Sequence, residues 1–171
     1  MFRGALFLLF VAAAPMAVAQ TLGDIDKREA GVVEAWNATP LTVRKALFVS
    51  GHPEGFGQYA ERAGNVFKPG EKLVAYAEPV GYGWKDIGDG KYEFGFKVDL
   101  AIKGADGKSL GEQHNFADLS EKGYARNREF FVLLTLTVSG LSAGEYAVEY
   151  TLHDIASAKS TMFTLPFKIA E

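Results

Sequence analysis

The stretch EFFVLLTLTVSGLSAGEYAVEYTLHDIASAKSTMFTLPFKI, residues 129–169, reads as three strands in succession. Apolar residues alternate at Phe130, Val132, Leu134, Leu136 and Val138. They alternate again at Tyr146, Val148, Tyr150 and Leu152, and at Phe163, Leu165, Phe167 and Ile169. A period of two buries one row of side chains and leaves the other in water. The links Ser139–Gly144 and His153–Lys159 are rich in small and turn-forming residues, as tight connections between neighbouring strands require. A sheet with one apolar face needs a second layer, so the upstream chain must supply it.

Working upstream, Tyr92, Phe94, Phe96, Val98, Leu100 and Ile102 form six alternating apolar positions, with Glu93, Lys97, Asp99 and Lys103 on the opposite face. Asp106-Gly107 is a hairpin signal, so Lys108–Phe116 should return as a partner strand, followed by a helical turn at Leu119–Lys122. Glu71–Val80 and Leu41–Val49 complete seven strands. The spacing of turn signals is that of an all-β, seven-stranded antiparallel sandwich of two sheets. Between Ser50 and Gly70 lies a long irregular stretch with a helical turn expected near Gln58–Ala63; loops of this length usually have a task. Ahead of the strands, Leu22, Ile25, Val32, Val33 and Trp36 have helical spacing, and Thr21 with Asp24 reads as a capping box.

The first residues carry Arg3, an apolar run from Ala5 to Ala14, and Ala17-Val18-Ala19. This is the layout of a secretory signal peptide cleaved after Ala19, and the run is too short to span a bilayer comfortably. The expected organisation is a signal peptide at 1–19, a helical segment at 20–39 and a β-sandwich at 40–171, in the periplasm or secreted, with no transmembrane segment in the mature chain. The formal charge of −3 gives no basic surface for nucleic acid. There is no cysteine, so stability must come from a core that 13 Phe, 7 Tyr and 2 Trp can build, and thiolate chemistry is excluded.

The run GEYAVEYTLHDIASAK, residues 144–159, leading into Phe163–Ile169, resembles the last two strands of immunoglobulin-like or fibronectin-like domains in bacterial exported proteins. The run FKPGEKLVAYAEPVGYGW, residues 67–84, is similar to uncharacterised exported proteins of Gram-negative bacteria, and the likeness extends over most of residues 55–169. The resemblance implies that fold and an exported location, and it carries no catalytic residues. It also implies that Tyr146 bonds back to the turn before it, as a tyrosine near the start of the penultimate strand does in such domains. The cysteine pair of antibody domains is missing.

Gly140-Leu141-Ser142-Ala143-Gly144 matches the nucleophile-elbow pattern, but it leads from strand to strand without the helix that the motif needs. Gly55-Phe56-Gly57 and Gly81-Tyr82-Gly83 lack the rest of a dinucleotide fingerprint. Asp86 and Asp89 lack the alternate-residue spacing of a calcium loop. No nucleophile or acid-base set assembles, so neither an enzyme nor a cofactor is expected.

Topology is more informative. Antiparallel order brings the loops near Tyr82–Gly90, Tyr124–Arg128 and His153–Lys159 to one end, gathering Tyr82, Trp84, Asp86, Tyr124, Arg126, His153, Asp154 and Lys159. Three uses compete. Tyr82 and Trp84 can offer flat faces to a sugar, with Asp86 or Arg126 directing hydrogen bonds; the structural alternative folds Trp84 onto the core. His153 and Asp154, with His114 as a third donor, can hold a divalent metal. Against this, His114 is expected in the other sheet, about 10 Å away, and to point inward, while Asp154 also suits a turn cap. An envelope protein or glycan can also dock on these loops or on a sheet edge. The favoured reading is a non-enzymatic binding or interaction module of the bacterial cell envelope, with a small-ligand binder as its alternative.

Overall fold

The computed structural model describes residues 20–171; the expected signal peptide lies outside them. Among the described residues one helix is followed by nine strands. Helix α1 spans Leu22–Ala38, and its capping box is formed: Thr21 Oγ1 accepts the Asp24 N–H while the Asp24 carboxylate accepts from the Thr21 N–H. No helix among the described residues is long and apolar enough to cross a membrane.

The strands are β1 Thr42–Phe48, β2 Val66–Phe67, β3 Lys72–Val80, β4 Lys85–Asp86, β5 Tyr92–Gly104, β6 Ser109–Gly123, β7 Val132–Thr137, β8 Gly144–Asp154 and β9 Ser160–Ile169. Each of the seven expected segments contains a strand, and β2 and β4 are two-residue additions. The fold is all-β, in one sheet of three strands, β1-β3-β7, and one of six, β2-β9-β8-β5-β4 with β6 also on β5. β8 and β4 share one edge of β5 and β6 pairs along the other, which leaves β6 as an edge strand.

Both sheets contribute inward rows to one core. Leu73, Ala75, Ala77, Val132 and Leu134 come from the first, and Phe94, Phe96, Val98, Val148, Tyr150, Leu152, Phe167 and Ile169 from the second. Full burial of each large apolar side chain contributes roughly 1.5–3 kcal/mol, which is how a chain without disulfides holds together. Within β5, Gly95 makes the closest approach: at φ 151° it lies opposite Ser120, and a Cβ there would meet the Leu119 carbonyl oxygen at 1.9 Å.

Two expectations for local structure are corrected. β6 runs on to Gly123 as strand, where a helical turn was read at Leu119–Lys122. The reason is tertiary: β5 continues to Tyr92, and its open edge pairs with the segment residue by residue, Phe96 opposite Leu119 and Tyr92 opposite Gly123. Near Gln58–Ala63 the chain forms no helical turn but the isolated bridges Val49–Glu61 and Gly55–Gln58. This loop covers the outer face of β3, where Tyr76 is fully buried between Tyr59 and Phe131, with ring centroids 4.4 and 5.2 Å away. The Tyr76 hydroxyl accepts the Gly57 N–H and donates to the buried Glu78 carboxylate, while desolvation pushes the phenol up to about 12.

Candidate functional site

The three expected loops do meet at one end of the molecule, and their meeting is built from side-chain to backbone hydrogen bonds. The Asp154 carboxylate accepts the Gly83 N–H at 2.7 Å, the Ala156 N–H at 2.9 Å and the Ser157 hydroxyl. Lys159 Nζ donates to the carbonyls of Asn37, Thr39 and Gly81, each at 2.8 Å. Tyr82 Oη and Trp84 Nε1 both donate to the Asn127 carbonyl, at 2.9 and 2.8 Å.

These contacts change the role of several residues singled out above. Tyr82 is fully buried, against Phe94, Phe96 and Phe130, so it is a core residue and offers no face to a sugar; burial raises its phenol pKa. Trp84 is stacked on Trp36 at 5.5 Å with its indole N–H already bonded, and Trp36 in turn donates to the Tyr82 carbonyl. The two tryptophans fasten α1 to the sheets, which is the structural alternative weighed for Trp84. Lys159 is a strut holding the end of α1 against the link between β3 and β4. Asp86 accepts from Gly88 N–H within its own turn.

Tyr124 and Arg126 remain outward. Tyr124 is 74% exposed with the Lys91 ammonium 5.4 Å above its ring. The Arg126 guanidinium stacks on Tyr92 at 4.6 Å, within the range of cation–π attraction. Tyr92 lies opposite Gly123, the residue before Tyr124, and opposite Asp86 in the register, which brings the two cation–aromatic pairs near one another.

The proposed pairing of His153 with Asp154 does not form. Successive strand residues point to opposite faces; Asp154 is buried at 7% exposure while His153 lies on the outside. His114 is likewise corrected. β6 and β8 are in the same sheet, flanking β5, and the His114 side chain is 81% exposed. A bulge causes this: between the pairs Val98–Ala117 and Leu100–Gln113 the edge strand holds extra residues, with Asn115 at φ 51°.

What the bulge assembles is a different set. Asp99 Oδ1 accepts the Asn115 N–H at 2.8 Å, and Asp99 Oδ2 meets His153 Nε2 at 2.9 Å and His114 Nδ1 at 3.2 Å. These bonds, led by the one from Asn115, hold the carboxyl down at about 2. An ionised carboxylate only accepts, so each facing ring nitrogen carries a proton. Asp99 was legible only as one of the outward polar residues on its strand; its neighbours depend on the strand register and the bulge. Beside it lies a groove of about 160 Å³ lined by Asp99, Lys103, Glu112, His114, Glu149 and Thr151 among others.

No protein-family model and no curated protein matches the chain. Among solved structures, a superoxide reductase (neelaredoxin) from Ignicoccus hospitalis aligns with 88% of this chain and 100% of its own, at 11% identity and a TM-score of 0.39. At that level the similarity extends to no residue and no chemistry.

Proposed function

We propose that the chain is an exported, non-enzymatic interaction module of the bacterial cell envelope, with an immunoglobulin-like or fibronectin-like sandwich as its scaffold. The signal-peptide pattern in the sequence supports the location. Tyr146 supports the scaffold, since its hydroxyl donates to the Ser142 carbonyl at 2.9 Å in the turn before β8. One observation carries the functional reading: with Tyr82, Trp84, Asp154 and Lys159 committed to structure, the same end still displays Tyr124 and Arg126 outward, each in a cation–aromatic pair. Tyrosine and arginine are the residue types that dominate binding energy at protein contacts, because each offers large area with few degrees of freedom to lose. Lys91 beside Tyr124 adds a second cation, which favours a partner with acidic groups, protein or glycan.

The test is a photo-crosslinking residue in place of Tyr124 in intact cells. A discrete adduct whose yield falls with Arg126→Ala supports this surface. No adduct from position 124, with one from position 112 on β6, would overturn it in favour of the sheet edge.

A further inference from the structure

We infer that Asp99, His114 and His153 form a binding site for a divalent transition metal of the class that prefers imidazole, such as zinc or nickel, on the outer face of the six-stranded sheet. The residues come from three adjacent strands, β5, β6 and β8, so the backbone spacing that brings them together is set by the sheet itself.

Distances carry the argument. Bonds of about 2.0–2.1 Å from zinc to imidazole nitrogen and carboxylate oxygen place neighbouring donors roughly 3.0–3.5 Å apart. The two ring nitrogens stand 2.9 and 3.2 Å from Asp99 Oδ2, close to that spacing. Neutral imidazole with a carboxylate suits zinc, copper and nickel, whereas magnesium and calcium prefer all-oxygen sets. Asn115 N–H occupies Asp99 Oδ1, so it orients the carboxylate and leaves Oδ2 turned toward the imidazoles. Among the described residues no group of three or more His, Cys, Asp or Glu side chains stands in an arrangement that could hold a metal ion, so the site forms only when the rings turn; at rest His153 is hydrogen-bonded to the Asp99 carboxylate and His114 lies 3.2 Å from it, from the two flanking strands. Turning them toward a common ion is a side-chain rotation, and His114, 81% exposed, is free to make it. Each neutral ring then carries its proton on the nitrogen that does not ligate. The remaining positions on the ion stay open to water or to a ligand entering the adjoining groove, where Glu112 adds negative charge and Glu149 is paired with Lys103.

The test is calorimetric titration of chelator-treated protein with zinc chloride and, separately, nickel chloride. We expect one ion per chain, with affinity reduced roughly tenfold or more by His114→Ala, by His153→Ala and by Asp99→Asn, since even outer partners of metal ligands change affinity by such factors. His52→Ala should leave it unchanged, because His52 is bonded to the Pro53 carbonyl in a different loop. His114→Ala removes an exposed side chain and should preserve the fold, which circular dichroism checks. Absence of stoichiometric binding, or binding that survives His114→Ala combined with His153→Ala, would overturn the site. Neither result bears on the Tyr124 surface.

Discussion

The Lys159 ammonium donates to the Gly81 carbonyl at 2.8 Å across 78 residues of sequence, and the same nitrogen reaches the Asn37 and Thr39 carbonyls at the end of α1. The last turn of α1 contains no basic residue of its own. Lys159 therefore supplies from a distant turn the positive charge and donors that a helix C-terminus attracts. Lys159→Met keeps the aliphatic stem and removes the charge; it should lower stability by about 1.5–3 kcal/mol in urea unfolding, the usual range for bonds to a charged group. Amide exchange in the last turn of α1 should accelerate with it. Lys159→Arg should not restore the loss, because a planar fork cannot serve three carbonyls grouped about one point.

Trp84→Ala removes the partner on which Trp36 stacks and the N–H that reaches Asn127. The expected loss is roughly 2–4 kcal/mol, below that of a fully buried tryptophan because this one is only partly covered. Urea denaturation measures it. An unchanged midpoint would return Trp84 to the candidates for ligand contact.

Tyr150 is fully buried with a hydroxyl that has no hydrogen-bond partner, among Phe116 and Phe163. Burying an unpaired hydroxyl is unfavourable, and it also raises the phenol pKa. Tyr150→Phe should accordingly be neutral or raise stability by up to about 1 kcal/mol. A clear fall in melting temperature would mean that the hydroxyl has a partner.

Gly95→Ala should be among the most damaging small changes available. The added methyl would meet the Leu119 carbonyl oxygen at 1.9 Å and the Ser120 Cα at 2.7 Å, both backbone atoms that move only if β6 moves. The expected loss is about 3 kcal/mol or more, in the range of severe overpacking. Soluble yield and thermal melting read the outcome.

Asp99 links stability to acid. Its folded value of about 2 lies below the ordinary 3.8, so its contribution is present above about pH 4 and disappears as pH falls through the folded value. In urea midpoints measured from about pH 5 to pH 2, the advantage of wild type over Asp99→Asn should shrink toward zero. An advantage that holds constant across that window would contradict the contacts of this carboxylate with Asn115, His153 and His114.

The strands were legible because alternation is a local property: Phe94, Phe96 and Val98, or Phe163, Leu165 and Phe167, announce a buried face from their spacing alone. The capping box at Thr21 and Asp24 was legible for the same reason, since both partners lie within one turn. Residues 119–122 were misread because pairing with β5 outweighed their own weak preference. Tyr82 was offered as a ligand face, and Trp84 was left between ligand site and core, because a glycine-rich loop does not reveal which way its aromatics turn.

The sequence by itself determined an all-β chain with a capped leading helix and a core free of cysteine, for these follow from periodicity, propensity and composition within short windows. Only the tertiary structure decided that Lys159 is a strut, that Asp154 faces inward, and that Asp99 sits between His114 and His153. Each of those depends on strand register, on the bulge at Asn115 and on contacts between residues far apart in the chain, which no local pattern encodes.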